Sequence, residues 1–164
     1  MRHSIRRCSL LALVVLPVAF AEGAAPASAA CNAGVHPFGK VQSRTFCGPA
    51  SAKVKIGSKS VTVKGGECAR TSASFALNIG TIVLGSAPKR PDYFGVTVLS
   101  AKGGAPVDRD GTFTKNAVVA LVYKNAGYAI INATVTLKSG RTKGTFSGQL
   151  LGKSTKVSGS FSCR

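Results

Sequence analysis

From residue 112 onward the chain alternates apolar and polar residues with a period of two, which is how strands with one buried face read. The alternation predicts four strands, Thr112–Lys124, Tyr128–Leu137, Thr142–Leu151 and Ser154–Cys163. Between them lie Asn125-Ala126-Gly127, Lys138-Ser139-Gly140-Arg141 and Gly152-Lys153, short connections that each contain Gly, as hairpin turns require. Centring each hairpin on its turn sets Leu121 opposite Ile131, Val119 opposite Ala133, Val135 opposite Gly144 and Ala133 opposite Phe146. The last pair of strands sets Phe146 opposite Gly159 and Gly144 opposite Phe161. One face then carries Phe113, Val119, Leu121, Tyr123, Ile131, Val135, Leu137, Phe146, Leu150, Val157 and Phe161. The other face of the last two strands carries Lys143, Thr145, Ser147, Gln149, Lys156, Ser158, Ser160 and Ser162. A slip of one residue would exchange the faces, so the pattern specifies its own register. Phe opposite Gly is also physically sensible, because a ring covers the neighbouring bare backbone.

The first half is less regular. Ala52–Ile56 and Ser60–Lys64 flank Gly57-Ser58-Lys59 as a hairpin, with Val54, Ile56, Val61 and Val63 inward. Ser74–Ile79, Thr81–Leu84 and Tyr93–Leu99 read as further strands. The expected fold is all-β: an antiparallel β-sandwich, with a closed β-barrel as the alternative, ending in a four-stranded meander. Residues 52–164 form one β domain, preceded by a leading segment, 31–51, that contains Cys31 and Cys47.

Residues 1–30 have a different layout. A cationic stretch ending in Arg6 and Arg7 precedes an apolar run, Cys8–Phe20, and small residues up to Ala30. That is the order of a secretory signal peptide, an apolar helix too short to span a bilayer, which takes roughly 20 residues. The protein is expected to be secreted or associated with the cell surface, with no integral membrane segment once the signal is removed. A lipid anchor at Cys31 is disfavoured, because Ser28 stands where lipoprotein signals carry Leu. Cys31, Cys47, Cys68 and Cys163 remain beyond the signal, an even number that implies two disulfides. Extending the first hairpin places Cys47 opposite Cys68, which pairs Cys31 with Cys163. The alternative is Cys31–Cys47 with Cys68–Cys163. The wide spacing does not suit zinc, and no metal or other cofactor is expected.

Charge changes the picture most. The chain has 22 Lys and Arg against 5 Asp and Glu, a net charge of +17. Lys53, Lys55, Lys64, Lys138, Lys143 and Lys156 fall on outward strand positions or strand ends, and Lys59, Arg141 and Lys153 at hairpin tips. Such a field attracts anionic partners: an anionic polymer, lipid headgroups or an acidic protein. Lys outnumbers Arg, which favours diffuse attraction over bidentate phosphate recognition. No aromatic residues interleave on the outward face of the last strands, so a base-stacking nucleic-acid platform is not indicated, although nucleic acid is among the anions the charge would attract.

Candidate catalytic chemistry is sparse. His36 is the one imidazole beyond the signal, and no Gly-x-Ser-x-Gly elbow accompanies it. Ser86-Ala87-Pro88-Lys89 has a Ser-x-x-Lys spacing but lacks a helix to stack the two. Asp108-Arg109-Asp110-Gly111 is better explained by a β-turn than by a calcium loop, which needs further ligands. The expected function is therefore a non-enzymatic exported domain that associates through its lysines with an anionic envelope or extracellular partner. The alternative is a secreted protease inhibitor presenting the Pro-flanked loop around Lys89.

Val54-Lys55-Ile56-Gly57, the strand that follows, Cys68 and the closing Ser160-Phe161-Ser162-Cys163 together resemble the layout of small exported actinobacterial antigens of the mycobacterial 19 kDa lipoprotein antigen type. The resemblance, over residues 52–163, implies a cell-surface protein without established catalysis.

Overall fold

The computed structural model describes residues 31–100 and 106–164; the signal helix expected over residues 1–30 lies outside them. The described elements are eleven strands: β1 (Gly34–Phe38), β2 (Val41–Phe46), β3 (Ala50–Ile56), β4 (Lys59–Arg70), β5 (Ser74–Leu84), β6 (Tyr93–Leu99), β7 (Gly111–Phe113), β8 (Ala117–Tyr123), β9 (Ala126–Lys138), β10 (Lys143–Leu150) and β11 (Lys156–Ser162). From β3 to β11 each strand pairs antiparallel with the next, except that β6 pairs with β8 and the short β7 is set beside the second half of β9. β11 then returns to β3, with Val157 opposite Ile56 and Ser162 opposite Ser51. The sheet closes into an 8-stranded up-and-down barrel, which replaces the expected sandwich.

Closure rests on long strands that bend and serve two partners each. β4 pairs with β3 through Lys59–Lys64, bulges at Gly65, and pairs with β5 from Gly66 to Arg70. Gly65 has φ +84°, a left-handed conformation that costs Gly little and other residues much. β5 runs unbroken through two segments read separately from the sequence, its first part beside β4 and β6 and its second beside β2. Such bends are local backbone events, and they consume the two edges a sandwich would have left open.

The interior is filled. Phe75, Leu77, Ile79, Phe94, Val96, Val98, Leu121, Val135 and Leu137 are fully buried. The rings of Phe75 and Phe161 stack at 5.6 Å, and those of Phe94 and Phe146 lie 5.2 Å apart. Burial of each such side chain contributes about 1.5–3 kcal/mol. The two Phe–Gly pairs of β10 and β11 form as expected. At Gly159 a Cβ would stand 2.6 Å from the Phe146 ring, so the pair leaves no room for a side chain.

The other two meander registers differ from expectation. Lys124 and Asn125, both at positive φ, make a two-residue turn that sets Tyr123 opposite Ala126 and Leu121 opposite Tyr128. This is the primed turn geometry that matches strand twist, and it displaces the predicted three-residue loop. Ser139, Gly140 and Arg141 are also left-handed, so Lys138 faces Lys143 and Val135 faces Phe146. That shift is of two residues, which preserves the faces. Asn132 is different: its left-handed backbone changes the phase of β9. Ile130 points inward and Ile131, expected in the core, is 38% exposed.

The disulfides are Cys31–Cys47 and Cys68–Cys163, the alternative pairing. The first hairpin has the predicted register, but it ends too early to bring Cys47 to Cys68. The bulge at Gly65 slips the pairing to Ala50 opposite Gly66, and Cys68 then lies opposite Leu77 of β5. Cys163 follows β11, which flanks β3 on its other side, so the bridge spans the start of β3. Residues 31–51 fold as well: β1 and β2 form a hairpin whose Phe46 packs on Tyr93, their rings 6.2 Å apart.

Candidate anion-binding surface

Strand alternation places every second residue of β3, β4, β9, β10 and β11 on the outside of one continuous wall. In-register neighbours there form three rows. One runs Thr62, Lys53, Ser160, Thr145, Thr136 and Thr112. A second runs Ser60, Lys55, Ser158, Ser147 and Thr134, and a third Lys64, Ser51, Ser162, Lys143 and Lys138. Lys156 extends the wall opposite Gln149. Neighbouring strands lie about 4.8 Å apart and alternate residues about 7 Å along each strand, so ammonium groups and hydroxyls make a regular lattice.

No carboxylate stands in these rows. Asp108 pairs with Arg109 at 3.0 Å, the one ion pair among the described residues, and Arg109 holds its carboxyl below the ordinary carboxylate range. Asp110 accepts from the backbone amides of Gly140 and Arg141, and Asp92 from that of Lys124. Glu67 lies beyond the bulge, opposite Asn78 of β5. Lys138 and Lys143 are directly opposite, an arrangement that costs stability unless an anion screens it.

The far wall differs. Strands β5, β6 and β8 contain no Lys, Arg, Asp or Glu, and their outward positions include Ala76, Thr97, Ala120 and Val122. An outward position is therefore not by itself a lysine position in this barrel. Within the eight barrel strands cation placement is one-sided; Arg44 lies on β2, beside β5.

Of the nine predicted cations, Lys53, Lys55, Lys64, Lys138, Lys143 and Lys156 come together on this wall. Lys59 and Lys153 project at one end of the barrel. Arg141 is half-buried at the other end, donating to the carbonyls of Thr71 and Val107 at 2.8 Å each. Its role there is structural. Sequence reasoning missed that use, because Thr71 and Val107 are far from Arg141 along the chain. It also missed Lys124, which a mis-set turn concealed.

The remaining candidates stay apart from one another. His36 is on β1, its Nε2 3.0 Å from the Asn32 carbonyl oxygen. Among the described residues no three His, Cys, Asp or Glu gather closely enough to hold a metal ion. Lys89 is exposed in a loop that Asn125 holds, accepting from the Arg90 amide at 2.7 Å and donating to the Pro88 carbonyl at 3.2 Å. Among the described residues no helix is long and apolar enough to cross a membrane. No protein-family model, curated protein or solved structure matches the chain.

Proposed function

We propose that this protein is an exported, non-enzymatic barrel that associates through its lysine wall with an anionic polymer of the cell envelope or its surroundings. The observation that carries the reading is the one-sidedness of the charge. Five neighbouring strands present lysines among hydroxyls in three rows that hold no carboxylate, Glu67 of β4 lying beyond the bulge, while three others present no charge. Solubility alone would be served equally by lysines spread over both walls or mixed with acids. A lattice of point charges flanked by hydroxyl donors suits a repeating anion, such as a phosphate- or carboxylate-bearing wall polymer. Each ammonium can attract a charge while neighbouring Ser and Thr hydrogen-bond its oxygens.

The protease-inhibitor reading is weaker. The Lys89 loop is held in place, but it bends at Pro88 and Lys89, whereas a bait segment must be extended.

The test is retention on isolated cell wall, anionic vesicles and DNA across a salt series. Tight retention at low salt that fades steeply with added salt is expected, because screening weakens exposed attractions. Replacing Lys53, Lys55 and Lys156 together by Glu should abolish retention, with the circular dichroism spectrum unchanged. Equal retention of that variant, or no retention of the natural protein at low salt, would overturn the proposal.

A further inference from the structure

One end of the barrel holds a cleft of about 710 Å³ that the lysine wall does not explain. Its floor is apolar, made by Ile56, Val61 and Leu150 where β3, β4 and β10 reach the mouth. Tyr123 and Tyr128 line one side. Three cations stand around it, each from a different hairpin: Lys59 beside the β3–β4 turn, Lys124 in the β8–β9 turn and Lys153 in the β10–β11 turn. No Asp or Glu lines it. Lys124 Nζ lies 5.5 Å from the centre of the Tyr123 ring, so its cation sits over an aromatic face, while its backbone amide donates to Asp92.

We infer that this cleft binds a single-chain amphiphile, an alkyl chain bearing one anionic head. The combination selects that class. A polymer of small anionic units has no use for the apolar floor, and a neutral lipid leaves three ammonium groups repelling one another. The volume is in the range of sites that enclose small molecules, and barrel mouths are among the places such sites form. Phe94 and Phe146 fill the interior beneath, so the alkyl chain lies across the mouth, over Ile56, Val61 and Leu150, rather than down the barrel axis. The head sits among Lys59, Lys124 and Lys153.

The cleft is separable from the lysine wall by experiment, because Lys124 and Ala126 belong to the cleft alone. Dodecanoate below its micelle concentration is titrated into the isotopically labelled domain and followed by amide chemical shifts. Saturable shifts confined to residues 56–61, 123–128 and 150–155 are expected. Dodecyl maltoside, with the same chain and a neutral head, and hexanoate, with the same head and a short chain, should each bind at least tenfold more weakly. Ala126→Glu, an exposed substitution that adds a carboxylate to the cleft, should weaken dodecanoate binding about tenfold. K124Q should weaken it about threefold. K53Q/K55Q/K156Q should leave it within twofold while removing retention on anionic polymers, so each proposal can fail without the other. Non-saturable shifts, equal binding of the neutral amphiphile, or A126E binding as tightly as the natural protein would overturn the inference.

Discussion

The two ends of the barrel are built from the same kind of hairpin and finished differently. At one end Val107 is fully buried and closes the interior, with Arg141 donating to its carbonyl and to that of Thr71. Asp110 accepts from the amides of Gly140 and Arg141, Arg70 donates to the Gly140 carbonyl at 3.1 Å, and the Cys68–Cys163 bridge lies nearby. At the other end Asn125 and Asp92 tie the β8–β9 turn to the loop around Lys89, and the cations Lys59, Lys124 and Lys153 around the cleft make no ion pair among the described residues. The difference teaches where stability and binding are invested. The closed end uses its cations Arg141 and Arg70 internally to hold the strands in register, whereas the ammonium groups at the open end have no carboxylate partner among the described residues.

The largest expected effect falls on the closed end. Replacing Cys68 and Cys163 by Ser should cost about 4–5 kcal/mol, since the bridge closes a loop of 95 residues. Replacing Cys31 and Cys47 by Ser should cost less, about 3 kcal/mol, because that loop spans 16 residues and ties a hairpin outside the barrel. Urea midpoints measure both, and a reversed order would break the comparison. Next, Val107→Ala should destabilise by about 2 kcal/mol through the cavity it leaves, whereas Ile56→Ala at the open cleft should cost less than about 1 kcal/mol. Equal losses would mean that both ends carry the fold alike.

A pH-dependent effect concerns the barrel wall. Tyr93 is buried under Phe46 and donates to the Asn78 side-chain oxygen at 2.6 Å. Burial raises its pKa above the ordinary 10.0. Its contribution is thus complete below pH 10 and is lost as pH rises through the higher folded value. Tyr93→Phe should cost about 1 kcal/mol near pH 8, and the gap to the natural protein should narrow above pH 10. Unfolding curves at the two pH values check this; a constant gap would show that the phenol does not titrate with folding.

Much of this was legible in the sequence. The β10–β11 register was read correctly by centring the hairpin on Gly152-Lys153, and the Phe–Gly pairs it produces agree with it. The β3–β4 turn was placed correctly by Gly57. The β8–β9 turn was not, because Lys124 and Asn125 adopt left-handed backbone where Gly127 was the stronger signal. Ile131 was misassigned because a phase change at Asn132 leaves no mark on an apolar run containing both Ile130 and Ile131. Six lysines of the candidate surface were found by alternation alone. Arg141 was counted among the candidate cations because a hairpin tip can be read from spacing, whereas a carbonyl waiting on another loop cannot.

Alternation, turn chemistry and cysteine number by themselves determined that the strands beyond residue 52 are antiparallel with one buried face, that the charge lies outward and that two bridges form. These are local or additive properties, set within a few residues or by counting. Closure into a barrel, the partner of each cysteine, the segregation of lysines to one wall and the difference between the two ends depend on which strands become neighbours. That choice was made by bends at Gly65, Gly80 and Asn132, where a change in one residue's backbone redirects a whole strand. Only the folded chain sums those bends.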